Sequence, residues 1–413
     1  MRFRDRVGPL AERDFRLLFS ATMVTTAGDR LAAIALAFAV LDLHHGGVVA
    51  LGIVLAARMA AQAGVALFGG VLSDRLPRNL IIVGASLVQA GAQIATAVLV
   101  LADTSSIAAI VVAQIVYGVG DGLVEPAERG LIFQIVSPAR LQEANALNGL
   151  SRSLVGVLGY AVGGAIVVAG SPGVALAVDA ASFVVCAGLL VAIHVPPRPA
   201  QEQQTTFFAD LREGWQEFSS RDWLWSCVVL YGLGNLSFSG VWLVLGPSIA
   251  KAHLGGAGAW AIVLTAMGIG SVAGGLYGIR YRPERPLLAC CIAPLPVIAQ
   301  MAGLALHVPT AGLAALSFVG GAGLAVHLTL WATVFQQNVP EQAQSRVTAY
   351  DYLGSFVLLP VGTAIAGPVA DALGVTTAVW AGTAFSAACM ISILFLRSVR
   401  ELRRAEPTAV VAA

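Results

Sequence analysis

Asp29 and Arg30 stand together inside the otherwise apolar run 15–42, and Arg58 stands inside the apolar run 47–72. An ionisable side chain at the centre of a hydrocarbon layer costs about 2.5–3.5 kcal/mol on insertion scales, so each needs a reason to be there. Asp29 lies about 13 residues, or ~20 Å of helix, from one end of its run, and Arg58 about 11 residues, ~17 Å, from the opposite end of the next. Across a core ~30 Å thick their depths differ by less than ~10 Å. That is within reach of a long side chain, so Asp29 and Arg58 are expected to interact, with Arg30 on another face as the alternative partner. A carboxylate opposed by burial and favoured by a guanidinium binds or releases a proton when that balance changes. The chemistry open to Asp29 is therefore proton coupling. A static ion pair fixing two helices and a water-exposed cavity acid are the competing readings.

Asp121 and Glu125 are four apart in the run 105–127, hence on one helical face. They either line a vestibule that attracts cations or join a charge network with Arg75 or Arg140. Asp179 and Asp351 are further acids in apolar runs, and Tyr350 and Tyr352 flank the latter. Those rings either stack on an aromatic or cationic substrate or pack a helix. His327 either contacts substrate and titrates near neutral pH or is a hydrogen-bonded core residue. Trp223, Trp225 and Trp242 read as interface belt and packing. The five cysteines, 186, 227, 290, 291 and 389, lie in apolar runs without metal-ligand spacing, so neither a disulfide framework nor a zinc site is expected. No Gly-x-x-x-x-Gly-Lys-Ser/Thr loop is present, so no P-loop nucleotide hydrolysis is expected, nor any cofactor.

The elements that must hold these residues follow from composition. Of 413 residues, 57% are hydrophobic and 11% charged, against roughly 25% charged in a soluble domain. That is too little polarity to coat a soluble enzyme of this size, and too much hydrophobicity for disorder. A net charge of +1 excludes an electrostatic nucleic-acid binder. Forty-five glycines suit helices that pack backbone to backbone in lipid. Twelve runs are long enough to span a bilayer: roughly 15–42, 47–72, 79–102, 105–127, 144–170, 172–195, 223–250, 257–279, 286–306, 310–335, 344–370 and 373–396. None alternates with period two, which argues against a β-barrel. The first run follows several arginines but is too long for a signal-peptide core and is interrupted by Asp29, so it is expected to be retained. Of 24 Lys and Arg, 21 fall at the N-terminal segment, the even-numbered connections or the tail; Lys251 alone falls on the other side. Both termini are therefore expected in the cytoplasm, with the chain in the plasma membrane.

The longest polar stretch, 196–222, divides the chain into 1–195 and 223–413, six runs each. Within it, residues 208–218 read as an amphipathic helix on the membrane surface. The halves resemble each other. Phe133-Gln134 with Pro138 recurs as Phe335-Gln336 with Pro340, and Gly69-Gly70 as Gly274-Gly275. A parallel duplication of this kind puts a substrate cavity between the halves near mid-membrane. Pro294, Pro296, Pro360 and Pro368 should kink their helices.

The run Gly70-Val71-Leu72-Ser73-Asp74-Arg75-Leu76-Pro77-Arg78-Asn79 resembles the signature loop of the major facilitator superfamily, Gly-x-Leu-Ala-Asp-Arg-x-Gly-Arg-Arg, with Pro77 and Asn79 departing from it. The resemblance implies twelve transmembrane helices in two pseudo-symmetric six-helix bundles. It also implies a gating loop formed by Gly70, Asp74, Arg75 and Arg78. There the acid is expected to cap helix 11 of the other half, beginning near Pro340-Glu341, and to lock one access state; a solvated basic loop obeying the positive-inside rule is the competing reading. The copy after the eighth run has Ile279 in place of the acid and should lack that lock. Further stretches resemble the drug- and metabolite-exporter-like bacterial members. These are Gly28-Asp29, Glu125-Pro126-Ala127 leading to Ala144-Asn145-Ala146-Leu147, Arg212-Glu213-Gly214-Trp215 and Leu245-Gly246-Pro247. Gly159, Gly163 and Gly164 match an antiporter motif whose proline is absent here; the glycines alone would serve as a packing face.

The expected protein is an all-α integral membrane protein and not an enzyme. It is a secondary transporter working by alternating access, exporting a small hydrophobic organic molecule such as a drug or secondary metabolite against protons. Uptake of a small metabolite by the same fold is the alternative, and a non-transporting membrane sensor is another. Its partners are the small-molecule substrate, protons and the lipid bilayer.

Overall fold

The computed structural model describes residues 8–103, 106–195 and 207–403, and the side chains of all of these except 67–75, 207–211 and 345. Among them every regular element is helical, and twelve helices are long and apolar enough to cross a membrane. Spans 1 to 6 are Arg13–Asp42, Val48–Arg75, Arg78–Leu101, Ile107–Ile135, Leu141–Ala169 and Pro172–Val191. A linker helix, Phe207–Ser219, precedes span 7, Asp222–Leu254. Spans 8 to 10 are Ala257–Arg280, Pro286–Ala305 and Thr310–Asn338; span 11 comprises Glu341–Phe356 and Leu359–Leu373, and span 12 is Val375–Ile393. Leu158, Val168, Val112 and Phe395 are among many large apolar side chains left exposed. Water would oppose such a surface, whereas lipid tails do not.

Proline sets two breaks where they were expected. Span 9 divides into Pro286–Ile292 and Pro296–Ala305, and span 11 is interrupted at 357–358 ahead of Pro360. Pro368 instead sits inside an unbroken helix. Span 7 is not α-helical throughout: Gly240–Leu245 and Ala250–Leu254 are π-helical. Trp242, read from sequence as belt or packing, is 2% exposed and packs on Trp260 with ring centroids 4.9 Å apart.

The packing repeats with an offset of six spans. Span 2 packs on 4, 3 on 4 and 6, and 1 on 5 and 6; correspondingly 8 packs on 10, 9 on 10 and 12, and 7 on 11 and 12. The principal contacts between the bundles are span 5 on 8 and span 2 on 11, which a twofold exchange of the halves interconverts. The duplicated sequence motifs thus correspond to a duplicated architecture.

Three apolar cores reveal which face is open. One continuous core runs through both bundles and includes Leu36, Leu51, Leu176, Leu245, Val263, Met301 and Val379. At the other end, where Arg13, Arg78, Arg221 and Arg397 lie, the core is split. Phe15, Ile82, Leu131 and Leu190 form one cluster from the first bundle alone; Leu224, Leu287, Val334 and Ile393 form another from the second. The Glu341–Phe356 half of span 11 packs on span 7 and the linker helix, while Leu359–Leu373 packs on span 2. Among the described residues the bundles therefore share a core at one face and keep separate cores at the arginine-rich face. Across the closed face Lys251 Nζ lies 2.5 Å from Asp42 Oδ1 and donates to the Leu41 carbonyl at 2.6 Å.

Candidate functional site

Glycines in span 4 bring its backbone onto span 2. A methyl group at Gly118 would overlap the Arg58 carbonyl oxygen, and one at Gly122 would crowd that of Gln62. This approach lays Arg58 over the ring of Tyr117, with the guanidinium carbon 3.9 Å from the ring centroid. The Tyr117 hydroxyl donates to Asp29 Oδ1 at 2.6 Å. One turn further along span 4, Asp121 Oδ2 lies 3.9 Å from Arg58 Nη2. The expected interaction of Asp29 with Arg58 thus runs through Tyr117, in a chain Asp29–Tyr117–Arg58–Asp121. Tyr117, wholly buried and held edge-on by Phe183 at 5.6 Å, stands between acid and base. Arg30 turns to span 5, donating to the Tyr160 hydroxyl at 3.2 Å.

A second polar layer lies behind this chain. Gln93 Nε2 donates to Asp179 Oδ2 at 2.6 Å, Ser182 Oγ donates to Asp179 Oδ1 at 3.4 Å, and Gln114 Nε2 donates to Gln93 Oε1 at 3.2 Å and Thr96 Oγ1 at 3.1 Å. Asp179, Gln93, Gln114 and Thr96 have no exposed surface. A side chain at Gly28 would overlap the Asp179 carboxylate, so this acid lies against the residue next to Asp29. Such a network holds its members in one geometry because any unsatisfied polar group in a low-dielectric interior is costly. Tyr117, Gln93 and Gln114 were not singled out from sequence; amides at membrane depth were the available signal, since they too need a partner.

Below Asp29 a cavity of about 50 Å³ reaches toward the arginine-rich face, lined by Thr22, Thr25, Asp29, Ser86, Asp121 and Glu128 among others. That is room for water beside three carboxylates. Glu128 closes its lower end: both its oxygens lie 2.6 Å from Arg152 Nη2, and Thr22 donates to Oε1 at 3.0 Å. Among the described residues Glu125 and Asp121 have different partners, and the Arg75 side chain lies outside those residues. Glu125 pairs with Arg129 at 2.5 Å, while Arg140 turns to Glu12 at 3.8 Å.

The second bundle is aromatic where the first is charged. Trp331 Nε1 donates to Asp351 Oδ2 at 2.9 Å, and His327 is stacked on Trp331 and lies 4.7 Å from the Tyr231 ring. His327 Nδ1 is 3.0 Å from the Cys290 carbonyl, the contact of a satisfied core histidine. Tyr350 packs on Trp215 and Phe218 of the linker helix, which occupies the ring considered for a ligand; Tyr352 is 54% exposed. In the gating motif the side chains of Gly70, Asp74 and Arg75 lie outside the described residues. Arg78 is buried, with its guanidinium pressed on Gly130. The helix expected to receive the acid begins at Glu341. Gly159 and Gly163 pack span 5 on Ala27 and Leu31 of span 1, whereas Gly164 faces Ala261 of span 8 in the other bundle.

The family profile of the Major Facilitator Superfamily matches residues 18–350. The chain belongs to the major facilitator superfamily. Solved structures with the same fold include a mutant of the nucleoside transporter NupG (TM-score 0.74, 12% identity, covering 92% of this chain and 98% of that one). A bacterial homologue of the iron transporter ferroportin in an inward-facing state gives a TM-score of 0.72 at 14% identity, over 93% and 99% of the two chains. A bacterial homolog of the human lysosomal transporter Spinster gives 0.71 at 14%, over 96% and 99%. No match was found among curated proteins. The protein is thus a transporter of the major facilitator fold, whose substrate is a small molecule and whose surroundings are a membrane.

Proposed function

We propose that this transporter exports a small, largely apolar organic molecule across the plasma membrane in exchange for protons, with Asp29 as the proton-binding carboxylate. The observation that carries this reading is the chain in which Tyr117 links Asp29 to Arg58, which Asp121 also approaches. Arg58 is shared by two acids. When Asp29 is charged, the hydroxyl of Tyr117 and the field of Arg58 stabilise it. When Asp29 takes a proton, Arg58 is left to Asp121 alone. Side chains on spans 1, 2 and 4 thereby change their mutual attraction, which biases two arrangements of the bundles. The small cavity below Asp29 has room for water as far as Glu128 toward the arginine-rich face, and the aromatic cluster around Trp331 and Asp351 in the other bundle offers stacking faces to substrate.

The arginine bias supports a reading in which both termini and the face with separate cores are cytoplasmic, which corresponds to an inward-open arrangement. Outward transport draws on the exporter-like motifs around Gly28-Asp29, Glu125-Pro126-Ala127 and Leu245-Gly246-Pro247. The halves 1–195 and 223–413 rock against each other, joined by the linker 196–222, and the contact of Gly164 with Ala261 belongs to the arrangement described. The test is accumulation of a panel of lipophilic dyes in pump-deficient cells with and without the protein. The reading expects lower dye content with the protein and loss of that difference on adding a protonophore. Higher dye content, or indifference to the protonophore, would contradict it.

A further inference from the structure

We infer that the groove between spans 8 and 9, at the arginine-rich face, is a binding site for one anionic phospholipid. Spans 8 and 9 both pack on span 10. A methyl at Gly274 would overlap Ala322, and one at Gly323 would overlap the Ala293 carbonyl, so these helices touch backbone to backbone. The proline break divides span 9 into two helical pieces beside this groove. What remains between spans 8 and 9 is a groove of about 650 Å³, floored by Ala322 and Val326 and walled by Ala273 and Ala289. This volume falls in the ~300–1,000 Å³ range of ligand sites.

The groove is apolar along its length and basic at its mouth. Tyr277 and Tyr281 line it there, stacked with centroids 5.1 Å apart, and Arg285 lines it beside them. Arg280 and Arg282 belong to the same connection, and Glu284 is its one acid. Elsewhere on this face Arg129, Arg140, Arg152, Arg221, Arg346 and Arg397 each have a carboxylate partner. Arg280, Arg282 and Arg285 are exposed, and none has an ion-pair partner among the described residues. Tyr277 and Ile292, which line the groove, are exposed, as are Leu276 and Ile279 next to Tyr277 in span 8, an apolar surface suited to lipid.

An acyl chain fits the apolar length and a phosphate fits the guanidinium fork. Tyrosines at the depth where tail meets headgroup are amphipathic in the same sense as the ligand. A free anion would not need the apolar groove, and a neutral lipid would leave the arginines unpaired. Basic pockets between membrane helices on the cytoplasmic side select anionic headgroups for this reason.

The full chain, purified and stripped of lipid, is titrated with phosphatidylglycerol or phosphatidylcholine and bound lipid is counted by native mass spectrometry. The expected result is one phosphatidylglycerol held about tenfold more tightly than phosphatidylcholine and not displaced by inorganic phosphate. Replacing Arg280, Arg282 and Arg285 together by Gln should abolish the preference. Ala273→Phe, which fills the groove and keeps the charges, should remove the bound lipid, and it retains the test where the triple variant does not fold. Equal retention of the two lipids, displacement by phosphate, or unchanged binding in Ala273→Phe would overturn the assignment.

Discussion

The hydroxyl of Tyr117 donates to Asp29 at 2.6 Å while the face of the same ring carries the Arg58 guanidinium at 3.9 Å. One side chain thus transmits between an acid on span 1 and a base on span 2. Tyr117→Phe keeps the ring under Arg58 and deletes only the hydrogen bond. A double-mutant cycle with Asp29→Ala, read by thermal unfolding in detergent, should show a coupling of about 1 kcal/mol, the scale of side-chain hydrogen bonds between membrane helices. Strict additivity would mean that the two residues act independently.

Glu128 is 7% exposed and relies on Arg152 and Thr22. Arg152→Ala leaves a buried carboxylate unpaired, a lesion that costs 3–5 kcal/mol at fully buried pairs. The Arg152 side chain is 44% exposed, so a smaller loss, roughly 1–2 kcal/mol, is expected after discounting for solvent screening. Glu128→Gln, which removes the charge, should restore most of it in the same melting experiment.

Gly164 lies where a methyl group would overlap Ala261 of the opposite bundle. Gly164→Val should therefore disfavour the arrangement in which spans 5 and 8 are in contact. Overpacking costs about 1–3 kcal/mol, enough to move a population by roughly 5- to 150-fold. Labelling of single cysteines should show the arginine-rich face becoming less accessible and the opposite face more so.

Lys251 bridges the bundles through Asp42 and the Leu41 carbonyl, but both charged side chains are about half exposed. Exposed pairs contribute about 0.2–1 kcal/mol. Lys251→Ala should shift access toward the opposite face by no more than about fivefold, and the shift should shrink as salt rises. A shift larger than that of Gly164→Val would make this pair, rather than the helix contact, the principal latch.

Much of this was legible before any coordinates. Apolar run lengths placed twelve spans, the Phe-Gln-x-x-x-Pro repeat marked the duplication, and Pro294, Pro296 and Pro360 marked the breaks. Depth arithmetic put Asp29 and Arg58 at similar levels. It could not see Tyr117, because a tyrosine in an apolar run carries the same pattern as a packing residue, and what matters is the azimuth at which span 4 meets span 2. The shared face of Asp121 and Glu125 was readable from their spacing, yet their partners come from different neighbours, Arg58 across the bundle and Arg129 one turn on. The π-helical turns of span 7 left no signature either, since Gly240–Leu245 has the composition of an ordinary helix. Gly164 and Gly163 look alike in sequence, and only the assembled fold assigns one to the gap between bundles and the other to span 1.

The central claim is that the protonation state of Asp29 biases the opening between the bundles. It is tested most directly by measuring the distance between spin labels at Ala139 and Gln337, one on each bundle at the arginine-rich face, as pH is varied in lipid nanodiscs. A label distance that changes with pH in the native chain and becomes independent of pH in Asp29→Asn is the expected result. A distance that responds to pH equally in both proteins would contradict the account.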